Sequence, residues 1–490
     1  MKNKNKVKLL TTATLLTTFL INTGIQSSNQ IENNTAQAAT NKKKTKPSGQ
    51  KPNGKSGKGG PNTQSYDYKG TLKASLNVKS GTTKVGKKTI TNNKTDQNVA
   101  LVQKNGKLSL DGTKLKKTGN SKNDDNANFY GLDSILLANG KNAVATVKNA
   151  TLTSKATGAN GIFATNKGTV NVSNTKIKTT GKANSRGLDA TYGGKINANK
   201  VKISTKGDHS AAAATDRGGG TVKNSKVATK GTGSPLAYST GTINFNNVTG
   251  TASGSQIAGM EGYNKIYLVN SNLTSTNNKL SGSDPIKNGV IIYQSTSGDA
   301  ETSSSKSADF QAKDSTLKTA ITSGAMFYVT NTTGKITLEN TKLNFNNSKV
   351  DLLNVAGNNF NGWGTKGKNG GHVTLTAKNQ TLKGNIVVDS ISSANVKLTD
   401  DSTYTGKTSI VANKYATSSS KCKMPLAISV GSNSKWIVTG NSTVTNLNLA
   451  DGGEIVDSQG NKVTIIANGK TVQKGTSSYA VTVKGSFTTN

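Results

Sequence analysis

Between about residues 106 and 345 one pattern recurs: an apolar residue, a second one five positions later, Asn often midway, then Thr or Ser and a Gly. It is carried by Leu110/Leu115, Val147/Leu152, Val172/Ile177, Ile196/Val201, Val222/Val227, Ile243/Val248, Leu268/Leu273, Ala312/Leu317 and Leu338/Leu343. Most intervals between successive units lie between 21 and 26 residues, which marks a stacked structural repeat. A second apolar stretch follows in many units, as in Ile162-Phe163-Ala164, Leu188-Asp189-Ala190, Leu236-Ala237-Tyr238, Ile257-Ala258 and Met326-Phe327-Tyr328. Alternation within the units has period two, for example Val201-Lys202-Ile203, so one face points inward while Lys and Thr point outward. Helix patterns are absent.

Short strands at this spacing, with Gly at the corners, predict an all-β chain: a right-handed parallel β-helix, each unit winding one turn and stacking on the last. Only 31% of residues are hydrophobic and 5% aromatic, close to the range in which chains stay unfolded. Stacking resolves that, because neighbouring turns cover each other's few inward side chains. Asn149, Asn174, Asn224, Asn270 and Asn340 share one repeat position and are expected to form a structural ladder, since Asn tolerates left-handed backbone and its amide reaches the next turn. Roughly 17 turns are expected over residues 66 to 490. Residues 120–128 and 274–309 read as polar excursions from the stack.

At the N-terminus Lys2, Lys4, Lys6 and Lys8 precede the apolar, Thr-rich run Leu9 to Ile21, and Ala36-Gln37-Ala38 gives a small-x-small cleavage pattern. Residues 1–38 thus read as a secretory signal peptide, too short and polar in its apolar part to span a bilayer, leaving no transmembrane segment after cleavage. Residues 39–65 hold Lys42, Lys43, Lys44, Lys46, Lys51, Lys55 and Lys58 among Pro and Gly without an anion. They are expected to be a disordered basic tail that spaces the fold or tethers it to a polyanion. The β-helix is expected over 66–430 and a cap over 431–490. Cys422 is the chain's one cysteine, so disulfides do not hold the protein together; no cofactor or metal ligand set is expected.

The run Ser434-Lys435-Trp436-Ile437-Val438-Thr439-Gly440-Asn441-Ser442-Thr443-Val444-Thr445-Asn446-Leu447, followed by Gly452-Gly453-Glu454-Ile455, resembles the closing region of pertactin-like autotransporter passenger domains, which are β-helical adhesins. The resemblance implies that Trp436, Val438, Val444 and Leu447 cap the β-helix. The chain departs from that family in showing no run of alternating membrane strands after this region, so no translocator barrel is expected.

The formal net charge is +39, with 63 Lys and Arg against 24 Asp and Glu, and Arg186 and Arg217 are the only arginines. Lysine makes diffuse contacts with phosphate or sulfate, whereas bidentate, selective reading recruits Arg. The expected function is therefore that of a secreted or cell-surface, adhesin-like binding protein of a Gram-positive bacterium, not an enzyme. Its partners would be anionic wall polymers such as teichoic acids, or host glycans. One rival is a polysaccharide lyase or glycoside hydrolase, with Asp124 and Asp125, Arg186 with Asp189, Asp208 with His209, Asp216 with Arg217, or Asp400 with Asp401 as candidates; none has a recognisable catalytic spacing. His209 and His372 read as exposed loop residues. Another is a self-assembling surface layer. Specific nucleic-acid binding is disfavoured, because no aromatic platforms interleave with the cations.

Overall fold

The computed structural model describes residues 65–295 and 306–490. The signal segment, the tail lysines Lys42, Lys43, Lys44, Lys46, Lys51, Lys55 and Lys58, and residues 296–305 lie outside them. The described chain winds as a parallel β-helix. Its first turn consists of β1 (Ala74–Val78), β2 (Thr82–Val85) and β3 (Thr89–Asn92). Each pairs in parallel with its counterpart one turn later, Ala74 with Asn98, Thr82 with Lys107 and Thr89 with Lys114. Repetition of this step builds three stacked ladders, called here the first, second and third sheets in chain order.

Inward residues stack on their own kind. Val147, Val172, Ala198, Val222, Phe245, Leu268, Ala312 and Leu338 follow one another in register along the second sheet, and all are buried. Strand Lys176–Thr179 alternates exposed and buried positions, as period two requires.

The register corrects the sequence reading in two turns. The residues equivalent to Val172/Ile177 are Ala198/Ile203 and Phe245/Gly250, two positions beyond Ile196/Val201 and Ile243/Val248. Ala and Gly fill core positions there without an apolar signature. At Gly250 a Cβ would meet Leu236 Cδ1 at 2.7 Å and Val227 Cγ2 at 2.8 Å, so larger neighbours already occupy the space.

Other expectations change as well. Fourteen three-stranded turns are formed among the described residues, fewer than the seventeen expected, because excursions and the closing segment use the remaining chain. The excursion read at 120–128 runs into a short helix, α1 (Asp124–Tyr130), although no helix was expected; Asn123 caps it by accepting from the Asn126 N–H at 2.9 Å. Within 274–309, Asn288–Tyr293 is a buried first-sheet strand rather than excursion.

The first sheet is covered on its outer face too. Near the start of the stack, Leu72, Phe129, Tyr130 and Tyr192 pack over Leu137 and Phe163. Further along, Tyr238, Tyr293, Tyr328 and Trp363 form a second outer cluster. At the other end, Trp436, Val438, Val444 and Leu447 are all buried. The Trp436 indole N–H donates to Gly406 O at 3.0 Å and its ring stacks on Tyr404. Beyond them Thr464–Ala467 and Lys470–Gln473 pair antiparallel, a hairpin that departs from the parallel step.

Candidate functional site

The Asn positions are the corners between the second and third sheets. Asn149, Asn174, Asn224, Asn270 and Asn340 all have φ between 44° and 52°, the left-handed region where Asn is among the best-tolerated residues after Gly. Lys200, Asn247 and Asp314 occupy the same corner in other turns with the same sign of φ. The side-chain ladder is partial and mixed. Asn224 Nδ2 donates to Asn199 Oδ1 at 2.9 Å, and Asn224 Oδ1 accepts in turn from Asn247 Nδ2 at 2.8 Å. Asn149 and Asn340 donate instead to the carboxylates of Asp111 and Asp314. A second ladder follows immediately: Ser225, Ser271 and Ser315 hydroxyls accept backbone N–H groups from Val201, Val248 and Ser271 of the preceding turn. The Thr or Ser that follows Asn174, Asn224, Asn270 and Asn340 is its sequence signal; Ala150 follows Asn149.

The acidic residues considered for catalysis fall in several places. Asp124 and Asp125 lie in the first turn of α1, where negative charge suits the helix end. Asp208 is exposed and accepts the Thr232 N–H. Asp400 and Asp401 have positive φ, as corner residues do. His209 and His372 are half-buried rather than exposed. His372 opens a strand, and its Nδ1 lies 2.8 Å from Ser393 Oγ; burial lowers its pKa.

Asp189, Asp216 and Glu261 belong to strands of the first sheet and are buried. Asp189 takes the Arg186 guanidinium at 2.7 Å, and Arg186 also donates to Asn128 at 2.9 Å. Asp216 takes Arg217 at 2.7 Å and the Thr240 hydroxyl at 3.2 Å. Glu261 accepts from Tyr238 and Ser295. Burial raises the pKa of Asp189, and raises that of Asp216 to about 7 against the opposing pull of Arg217. Each carboxylate is thus engaged by neighbouring side chains. Among the described residues no group of three His, Cys, Asp or Glu is placed to hold a metal.

The third sheet is different in kind. Lys176 pairs in register with Lys202, and Lys202 with Lys226, so three exposed ammonium groups are borne on successive turns about 4.8 Å apart. Around them lie exposed Lys114, Lys116 and Lys178, and Lys155, Lys182, Lys206 and Lys230 at the following corner. The third-sheet segments Lys114–Lys117, Thr151–Ser154, Lys176–Thr179, Lys202–Thr205 and 226–229 contain no Asp or Glu. Like charges stacked directly across a ladder oppose the fold, by up to about 1 kcal/mol per contact. Lys117 alone turns inward and pairs with buried Asp133 at 2.8 Å. Sequence reading located the charge in the tail and missed this column, because its register depends on which turns pair.

These features define the class: a parallel β-helix whose third sheet stacks lysines in register on three successive turns. No protein-family model matches the sequence, and no curated protein matches it. Among the described residues no helix is long and apolar enough to cross a membrane.

Proposed function

We propose that this is a secreted, non-enzymatic surface protein whose third sheet, together with the lysine tail, binds a linear polyanion such as a teichoic acid or a sulfated host glycan. The observation that carries the reading is the in-register column Lys176, Lys202 and Lys226. It adds nothing to fold stability, and it concentrates three cations within about 10 Å along one line. Lysine rather than arginine makes such binding weakly selective and dependent on ionic strength. The resemblance of residues 434–455 to adhesin closing regions supports a role at a cell surface. The first-sheet carboxylates, each held by neighbouring side chains, favour structure over chemistry.

The test is a salt series on the signal-cleaved chain with immobilised poly(glycerol phosphate). Retention is expected at low salt and release before about 0.5 M, where the Debye length falls to a few ångströms. Retention through molar salt would overturn the reading.

A further inference from the structure

The third sheet is interrupted. Lys342–Asn344 ends the run of paired third-sheet strands that begins with β3, and the next third-sheet strand, Thr381–Lys383, starts a separate ladder with Thr403–Thr405. At the corner the Gln380 side chain bridges the two turns in place of direct backbone pairing. Its Oε1 accepts the Thr341 N–H at 2.7 Å, and its Nε2 donates to Thr341 O at 2.6 Å. Beyond that wedge the strands are unpaired, and a cleft of about 930 Å³ opens between their edges.

The lining has a definite chemical character. It carries Lys318, Lys342 and Lys383, several Asn, and no Asp or Glu. Phe345, half-buried, is its one aromatic residue. The two facing strand edges add backbone N–H and C=O groups that the ladder does not use. Amide and hydroxyl donors, cations and a single apolar ring match the hydroxyl groups, anionic substituents and apolar ring face of a sugar acid or sugar ester. The lining offers no row of apolar pockets of the kind that selects a peptide strand.

From this we infer that the cleft is a discrete subsite for an anionic saccharide unit, bearing carboxylate, phosphate or sulfate. The inference rests on the polyanion reading. Lys342 occupies the same outward row as Lys176, Lys202 and Lys226, reached through Thr249, Asn272 and Thr316. A polymer lying along that row runs into the cleft, where recognition of ring and hydroxyls adds to charge.

The experiment titrates the signal-cleaved chain calorimetrically at 0.3 M salt with four short probes: a sulfated uronate tetrasaccharide, a glycerol phosphate oligomer, a neutral tetrasaccharide and an oligoglutamate of matched charge. Binding of the sulfated uronate tetrasaccharide, and not of the neutral tetrasaccharide or oligoglutamate, is expected. Equal binding of the glycerol phosphate oligomer, which has no sugar ring, would show that charge alone is read and would overturn the subsite. Replacing the exposed cleft lysines (K318T/K342T/K383T) should weaken that binding by about tenfold or more, and Asn347→Ala by a smaller factor. The variant K176T/K202T/K226T should lower polymer retention but change short-probe affinity less than about twofold. Equal binding of oligoglutamate, binding of no probe, or equal loss in both lysine variants would overturn the subsite. A failure of polymer retention alone would count against the extended row and leave the subsite standing.

Discussion

At the scale of single residues, buried carboxylates give the fold a pH dependence opposite in sign to that of most proteins. Asp284 is buried, the Asn288 amide donates to its carboxylate at 2.8 Å, and desolvation pushes its pKa up to about 7. Asp216 is pushed to about 7 for the same reason. In an unfolded chain both titrate near 4. Between about pH 4 and 7 the native state therefore binds more protons than the unfolded state, and stability falls as pH rises through that window. The melting temperature should be higher at pH 5 than at pH 7.5, and Asp284→Asn should flatten the dependence. A melt that rises steadily from pH 5 to 7.5 would contradict these assignments.

At the scale of the element, the closing segment is where a stack most needs help, since an uncovered terminal turn is an open edge. Trp436 is fully buried, stacks on Tyr404 and donates its indole N–H to Gly406 O. Trp436→Ala should cost about 3–5 kcal/mol, read as a lowered unfolding midpoint with hydrogen exchange accelerated first in residues 393–456. Trp436→Phe keeps the ring but strands the Gly406 carbonyl, and should cost less. Uniform acceleration along the whole chain would argue that residues 431–490 do not act as a cap. The sequence pointed to this segment through its resemblance to adhesin closing regions, and the four residues so singled out are buried. Elsewhere the repeat was legible mainly where large apolar residues held both positions of a unit; Ala312 was found through Leu317, five positions on. Ala198 and Gly250 broke the count because small residues fit where neighbours are large. The Arg186–Asp189 and Arg217–Asp216 contacts could be suspected from proximity in sequence, but not their burial, since α1, the segment holding Leu72 and the Trp363 loop that cover the first sheet come from distant parts of the chain. The cleft beside Lys342 had no sequence signal, because the Gln380 wedge that opens it is one amide among many.

At the scale of the whole molecule, stacking explains how a chain so poor in apolar residues folds at all, and it turns a statistical excess of lysine into geometry. A solvated chain with the same composition would present its charge as a diffuse cloud; the β-helix stacks part of it as a row on the third sheet, while the lysines of the second sheet, such as Lys195, Lys223 and Lys265, pair with other residue types, among amide ladders such as Asn197 to Asn171. The most direct measurement compares two triple variants of the signal-cleaved chain on immobilised poly(glycerol phosphate) across a salt gradient. One is K176T/K202T/K226T; the other removes three exposed lysines of the closing segment, K462T/K470T/K474T. Both lose the same net charge. The row variant is predicted to elute at clearly lower salt than the wild-type chain, and the closing-segment variant close to it; coincident elution of the two variants would contradict the account, because total charge rather than its placement on the third sheet would then hold the polymer.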